Sequence, residues 1–199
     1  MKVTTKNGKR LYESSGRVYP SVTTVINVLR REDLEMLRGV IGNKQADLKR
    51  DQAGNTGTVL HEICEVVLSG GFLPSMTLNP EIEQRVEAFQ EWYQIAIEEV
   101  IGTNVKGIDE KYGYGYEADA LVVMKGDKRP SVIDLKTGII GVESRLQTAA
   151  YRQATKAGRR IIVGLKEKVR VVEYTEHDAD FQAFLCCLHL YNWRQRYGK

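Results

Sequence analysis

The chain has 199 residues, 42% hydrophobic and 28% charged, the composition of one globular domain able to bury a core. This excludes a disordered or fibrous chain, and no apolar run approaches the roughly 20 residues of a membrane span. A net charge of +3 and a pI near 8.7 are compatible with a nucleic-acid partner without arguing for one.

The N-terminus lacks the apolar core of a signal peptide. The three cysteines, Cys64, Cys186 and Cys187, show no C-x-x-C metal spacing. A reducing, cytoplasmic setting with no membrane attachment is expected.

In chain order, Lys9 to Tyr19 alternates well enough for a hairpin around Ser14-Ser15-Gly16. Pro20-Ser21 opens a helix through about Leu29, with Ser21 as N-cap. A charged amphipathic helix is expected from near Glu32 to Gln52, then a break at Ala53-Gly54-Asn55-Thr56-Gly57, then a helix from Thr58 to Leu68 ended by Gly70-Gly71. On that last helix His61 and Glu65 stand four apart on one side. An imidazole and a carboxylate so placed suit a divalent metal; a half-buried structural histidine beside an exposed glutamate fits equally. The Gly54/Gly57 pair would allow a close backbone approach.

Pro80 after Asn79 begins a helix to about Val100. A strand is expected near Val105 to Lys111, and then a hairpin: Tyr116 to Met124, the turn Lys125-Gly126-Asp127-Lys128, and Arg129 to Lys136. A symmetric turn centred on Gly126-Asp127 sets Asp119 opposite Asp134, with Cβ atoms roughly 5 Å apart. One face then carries Asp119, Leu121, Val123, Val132, Asp134 and Lys136; the other, with Ala120, Val122, Met124, Ile133 and Leu135, is wholly apolar. Two facing carboxylates repel unless one is protonated or a cation lies between them. Lys136 supplies part of that charge and a divalent ion would supply more. An open, solvated face carrying both acids is the alternative.

A helix over about Glu143 to Ala157 places Gln147 and Tyr151 four apart, with Arg145, Arg152 and Lys156 nearby and Arg159-Arg160 following. Amide, phenol and cations suit a phosphate or a terminal nucleotide; Gln147 and Tyr151 also make an ordinary half-buried pair. Strands Arg160 to Leu165 and Arg170 to Tyr174 follow, and a last helix runs from the acidic cluster Glu176-His177-Asp178 to Tyr197. The order is α+β, a central mixed β-sheet flanked by helices. It forms one domain over 1–199, with the hairpin and helices in 1–100, the sheet and Gln147/Tyr151 helix in 101–175 and the last helix in 176–199.

The ordered set Gly57-Thr58-Val59-Leu60-His61, the run Tyr112-Gly113-Tyr114-Gly115-Tyr116-Glu117-Ala118-Asp119, then Asp134-Leu135-Lys136-Thr137-Gly138 and Gln147 to Tyr151 resembles the RecB-like branch of the PD-(D/E)XK nuclease superfamily. The opening Tyr19-Pro20-Ser21-Val22-Thr23-Thr24-Val25-Ile26 looks like the start of its phage-type and mitochondrial genome-maintenance members. The resemblance spans about residues 19 to 160 and implies a restriction-endonuclease-like fold. It implies metal ligation by His61, Asp119, Asp134 and the Leu135 carbonyl, and places Lys136 beside the attacking water. Asp119, Asp134 and Lys136 are then the catalytic groups, and Gln147, Tyr151 and Arg152 face the nucleic acid. Glu65 has no firm counterpart and is left as an outer partner of the metal. Some relatives hold an iron–sulfur cluster on four cysteines; with three, differently spaced, none is expected here.

The expected activity is hydrolysis of DNA phosphodiesters with Mg²⁺ or Mn²⁺, as an exonuclease on free ends or single strands. Because His61 softens the site, manganese is expected to serve better than magnesium. The small solitary format leans towards a phage or mobile-element protein of DNA repair or recombination, in the host cytoplasm. The alternative is a catalytically idle member that binds nucleic acid or a protein partner.

Overall fold

The computed structural model describes residues 1–6, 8–29, 39–40, 42–71 and 78–198. A three-stranded antiparallel sheet, β1 (Lys2–Lys6), β2 (Lys9–Ser14) and β3 (Arg17–Pro20), leads into the short helix α1 (Val22–Ile26). Long helices α2 (Asn43–Leu68) and α3 (Pro80–Ala96) follow. Next come β4 (Ile97–Asp109), β5 (Tyr114–Met124) and β6 (Pro130–Lys136), then α4 (Glu143–Thr155), β7 (Arg159–Gly164), β8 (Arg170–Glu173) and α5 (His177–Tyr197). The central sheet has the order β4-β5-β6-β7-β8. It is antiparallel except where β7 runs parallel to β6 after the α4 crossover. The fold is α+β, a mixed sheet flanked by helices, as expected. No described helix is long and apolar enough to cross a membrane.

The caps explain the helix starts. Ser21 Oγ accepts the Thr24 N–H at 3.0 Å, and Asn79 Oδ1 accepts that of Glu81 at 2.9 Å with Pro80 following. Helix α5 carries Asp178 and Asp180 in its first turn and Arg194 and Arg196 in its last, matching the helix dipole.

Several sequence expectations need correction. The break at 53–57 is absent: α2 runs through it as one helix. A glycine in a helix costs only about 1 kcal/mol, which packing repays here, because a Cβ on Gly57 would stand 3.0 Å from Thr137 Oγ1. The expected helix start near Glu32 lies outside the described residues. Helix α3 stops at Ala96, and 97–100 open β4, so the sheet begins before residue 101. Helix α1 ends at Ile26 rather than near Leu29. Strand β1 had no counterpart in the sequence reading.

Two cores lie on the two sides of the central sheet. Helices α2 and α3 bring Leu60, Cys64, Phe89 and Trp92 against Ala120, Val122, Ile133, Leu135 and Ile161. On the other side α1, α4 and α5 bring Val25, Ala150, Phe184 and Leu188 against Tyr114, Ala118 and Val132. Strand β5 therefore changes sides at Asp119, since Ala118 belongs to one core and Ala120 to the other. The β4–β5 ladder passes directly from Thr103↔Ala120 to Val105↔Ala118. The residue skipped on β4, Asn104, has φ +50°, a left-handed conformation that asparagine tolerates.

Candidate active site

The β5–β6 hairpin holds the expected register, from Val123↔Pro130 to Ala120↔Ile133. One step on, a side chain takes over from the ladder: the Leu135 N–H donates to Asp119 Oδ2 at 2.6 Å. Asp134 and Lys136 share a side of β6, and Leu135 between them enters the α2/α3 core.

Asp134 is 3% exposed. Its Oδ1 accepts from Gln147 Nε2 at 3.0 Å, and its Oδ2 lies 2.8 Å from Lys136 Nζ. That approach is a buried ion pair rather than a well-angled hydrogen bond. Lys136 donates to Gln147 Oε1 at 3.0 Å, and Gln147 Nε2 meets Tyr151 Oη at 2.9 Å. The i, i+4 spacing of Gln147 and Tyr151 thus aims an amide and a phenol at β6. From α2, His61 Nδ1 stands 3.4 Å from Asp119 Oδ1.

Electrostatics tie these groups together. Burial pushes the Asp134 carboxyl above the ordinary carboxylate range, against the pull of the Lys136 ammonium. Burial alone would lower Lys136, but Asp134 and Asp119 hold it above the usual lysine value, so the amine stays charged. His61 is likewise lowered by burial, yet its hydrogen bond to Asp119 and the charges of Asp119 and Asp134 raise it overall.

The site opens into a cleft of about 470 Å³, lined among others by Arg10, His61, Glu62, Glu65, Glu117 and Asp119. Glu65 does reach this cleft. Glu117, two residues before Asp119 on β5, pairs with Arg10, and its Oε1 lies 3.2 Å from Lys106 Nζ. The sequence reading passed over Glu117 and Arg10. The period-two spacing of Glu117 and Asp119 was the available signal for the first; Arg10 arrives from the N-terminal sheet and had none.

The cations expected beside Gln147 are engaged elsewhere. Arg152 Nε donates to the Gly158 carbonyl at 3.3 Å. Arg145 and the wholly buried Arg160 both bind Asp180, and Arg159 bridges Asp127 and Glu173. They neutralise internal acids and fasten β7 and α4 to the start of α5.

Two carboxylates and an imidazole have the donor chemistry of a hard or borderline divalent ion. As the side chains stand, no group of three or more His, Cys, Asp and Glu among the described residues is arranged to hold a metal ion. The cause is local. Asp119 spends one oxygen on the Leu135 N–H, and Asp134 faces Gln147 and Lys136, so a cation entering the cleft would compete with these internal donors.

No protein-family model matches the chain, and no curated protein matches it. Among solved structures, SSO0001 is similar with a TM-score of 0.49 and 16% identity, over 89% of this chain and 76% of that one. A "Putative exonuclease" from Eubacterium rectale is similar with a TM-score of 0.46 and 14% identity, over 69% and 68%. Both are likenesses of general outline at low identity.

Proposed function

We propose that this chain is a divalent-metal-dependent DNA nuclease acting on free ends or single strands. One observation carries the reading: the buried Asp134 carboxylate forms an ion pair with a charged Lys136, with Asp119 close by on the next strand. Its neighbour Leu135 links it to Asp119, which His61 in turn approaches at the cleft.

Asp119, Asp134, His61 and the Leu135 carbonyl would hold Mg²⁺ or Mn²⁺. Such an ion, when bound, neutralises phosphate charge and acidifies water. The chain's own groups do the rest. Lys136 keeps a full positive charge where negative charge builds in phosphodiester hydrolysis. Gln147 holds Asp134 and Lys136 at fixed separation by bonding both, and Tyr151 fixes Gln147 in turn. Arg10 and Lys106 share the single carboxylate of Glu117, and the net positive charge they leave would attract backbone phosphates irrespective of base sequence.

The internal pairing of Asp134, Lys136 and Gln147 favours a second reading, a nucleic-acid binder that does not cut. The test is digestion of end-labelled and circular DNA, single- and double-stranded, with Mg²⁺, Mn²⁺ or chelator, beside Lys136→Ala. The proposal expects the parent protein to cut linear substrates only with metal, and Lys136→Ala to bind DNA without cutting. Parent protein that binds DNA yet cuts none with either ion establishes the second reading instead.

A further inference from the structure

The end of α5 carries an exposed aromatic and cationic surface. Trp193 and Tyr197, one helical turn apart, are 53% and 60% exposed. Their ring centroids lie 5.8 Å apart at 46°. The Arg196 guanidinium sits 5.4 Å from the Tyr197 centroid. On the inward face of the same helix, Lys9 Nζ of β2 lies 5.7 Å from the buried Tyr191 ring. There Lys9, Asn27, Tyr191 and Arg194 line a groove of about 340 Å³.

Large aromatic side chains normally bury their area in a core or an interface. The contrast within this chain is direct, because the other tryptophan, Trp92, is packed between α3 and the sheet. The charge around the pair has one sign. From Phe181 to its end the sequence has no Asp or Glu, and among the described residues neither Arg194 nor Arg196 has an ion-pair partner. Exposed rings interleaved with unpaired guanidiniums match the chemistry of unstacked bases on a phosphate backbone. A protein partner would need acidic groups for the arginines and apolar ones for the rings; a single strand offers both along its length.

We infer that the Trp193/Tyr197 surface of α5, with Arg194 and Arg196, is a binding platform for single-stranded nucleic acid, distinct from the Asp119/Asp134 site. The platform does not depend on cleavage, so its test is run in chelator.

The two tryptophans make the readout specific, since Trp193 is accessible to a stacking base and Trp92, 9% exposed, is not. A dT oligomer is titrated into the full chain while tryptophan emission is followed. Saturable quenching is expected, and blunt duplex DNA, whose bases are already stacked, should quench less. Trp193→Ala should abolish the quenching and weaken oligomer binding about tenfold, the loss of one stacked base. Arg194→Gln with Arg196→Gln should flatten the salt dependence by about 1.4 in log–log slope, two single-strand phosphate contacts. These side chains lie outside both cores, and a melting curve for each variant verifies that the fold is kept. Unchanged oligomer affinity in Trp193→Ala overturns the inference. So does light scattering in which Trp193→Ala turns a dimer into a monomer with oligomer affinity intact, which would make the surface a contact between copies. Quenching by protein that never cuts DNA upholds the platform while the nuclease reading fails.

Discussion

Replacing Gln147 by leucine tests whether the candidate site is held together as described. The amide makes three contacts, to Lys136 at 3.0 Å, Asp134 at 3.0 Å and Tyr151 at 2.9 Å. Bonds to charged groups contribute about 1.5–3 kcal/mol each and the neutral one about 1 kcal/mol. Leucine occupies a similar volume and recovers about 1–2 kcal/mol through apolar burial. The expected net loss is about 4 kcal/mol, and at about 2–4 °C per kcal/mol for a chain this long the melting point falls by about 8–16 °C. Urea unfolding measures the first number and calorimetry the second. Lys136 and Asp134 lose a shared anchor, so cleavage should fall about 10–100-fold, as when an outer partner of metal ligands is removed. Gln147→Glu separates the two effects: it keeps an acceptor for Lys136 but sets a second carboxylate against Asp134. A Gln147→Leu protein unfolding within about 0.5 kcal/mol of the parent refutes the energetic reasoning. One that is destabilised but cuts at the parental rate refutes the positioning role.

Gly57→Ala, whose new methyl meets Thr137 Oγ1 at 3.0 Å, should leave stability nearly unchanged, the gain in helix propensity offsetting the crowding. It should slow cleavage at least several-fold by shifting the residue after Lys136, and adding Thr137→Ala should restore the rate. Gly115→Ala drives a methyl into the ring of the fully buried Tyr12 and should cost about 3 kcal/mol in urea unfolding, at the top of the overpacking range. Burial pushes Asp180 up, but Arg160 and Arg145 outweigh it and hold its carboxyl below the ordinary value. A lowered folded pKa stabilises above the unfolded value near ~3.9 and loses that contribution as pH falls through the folded one. Asp180→Asn should therefore cost about 3 kcal/mol at neutral pH, where it leaves Arg160 uncompensated, and the gap to the parent should close as pH drops below about 4.

What was legible in the sequence followed from local periodicity. The turn around Gly126-Asp127 and the alternation on both sides defined the β5–β6 register, which the ladder from Val123↔Pro130 to Ala120↔Ile133 keeps. Spacings of four on α2 and α4 placed His61, Gln147 and Tyr151 on the correct faces. What was illegible was decided by distant partners. Gly54 and Gly57 read as a break, since nothing local announces that α2 must lie against Thr137. Ile97 to Val100 continues the apolar pattern of α3, and only pairing with β5 makes it strand. Arg145, Arg152 and Arg160 looked like a phosphate site because Asp180, Glu176 and the Gly158 carbonyl that engage them are brought up by the fold.

The change of sides in β5 has a consequence for where chemistry can reside. A continuous strand packed on one layer has its inward positions claimed by hydrophobic neighbours and its outward ones by water. At Asp119 that division lapses, for Ala118 is committed to one layer and Ala120 to the other. The carboxylate between them owes nothing to either, and can bear a reactive charge at the seam without opening a hole in the packing on either side.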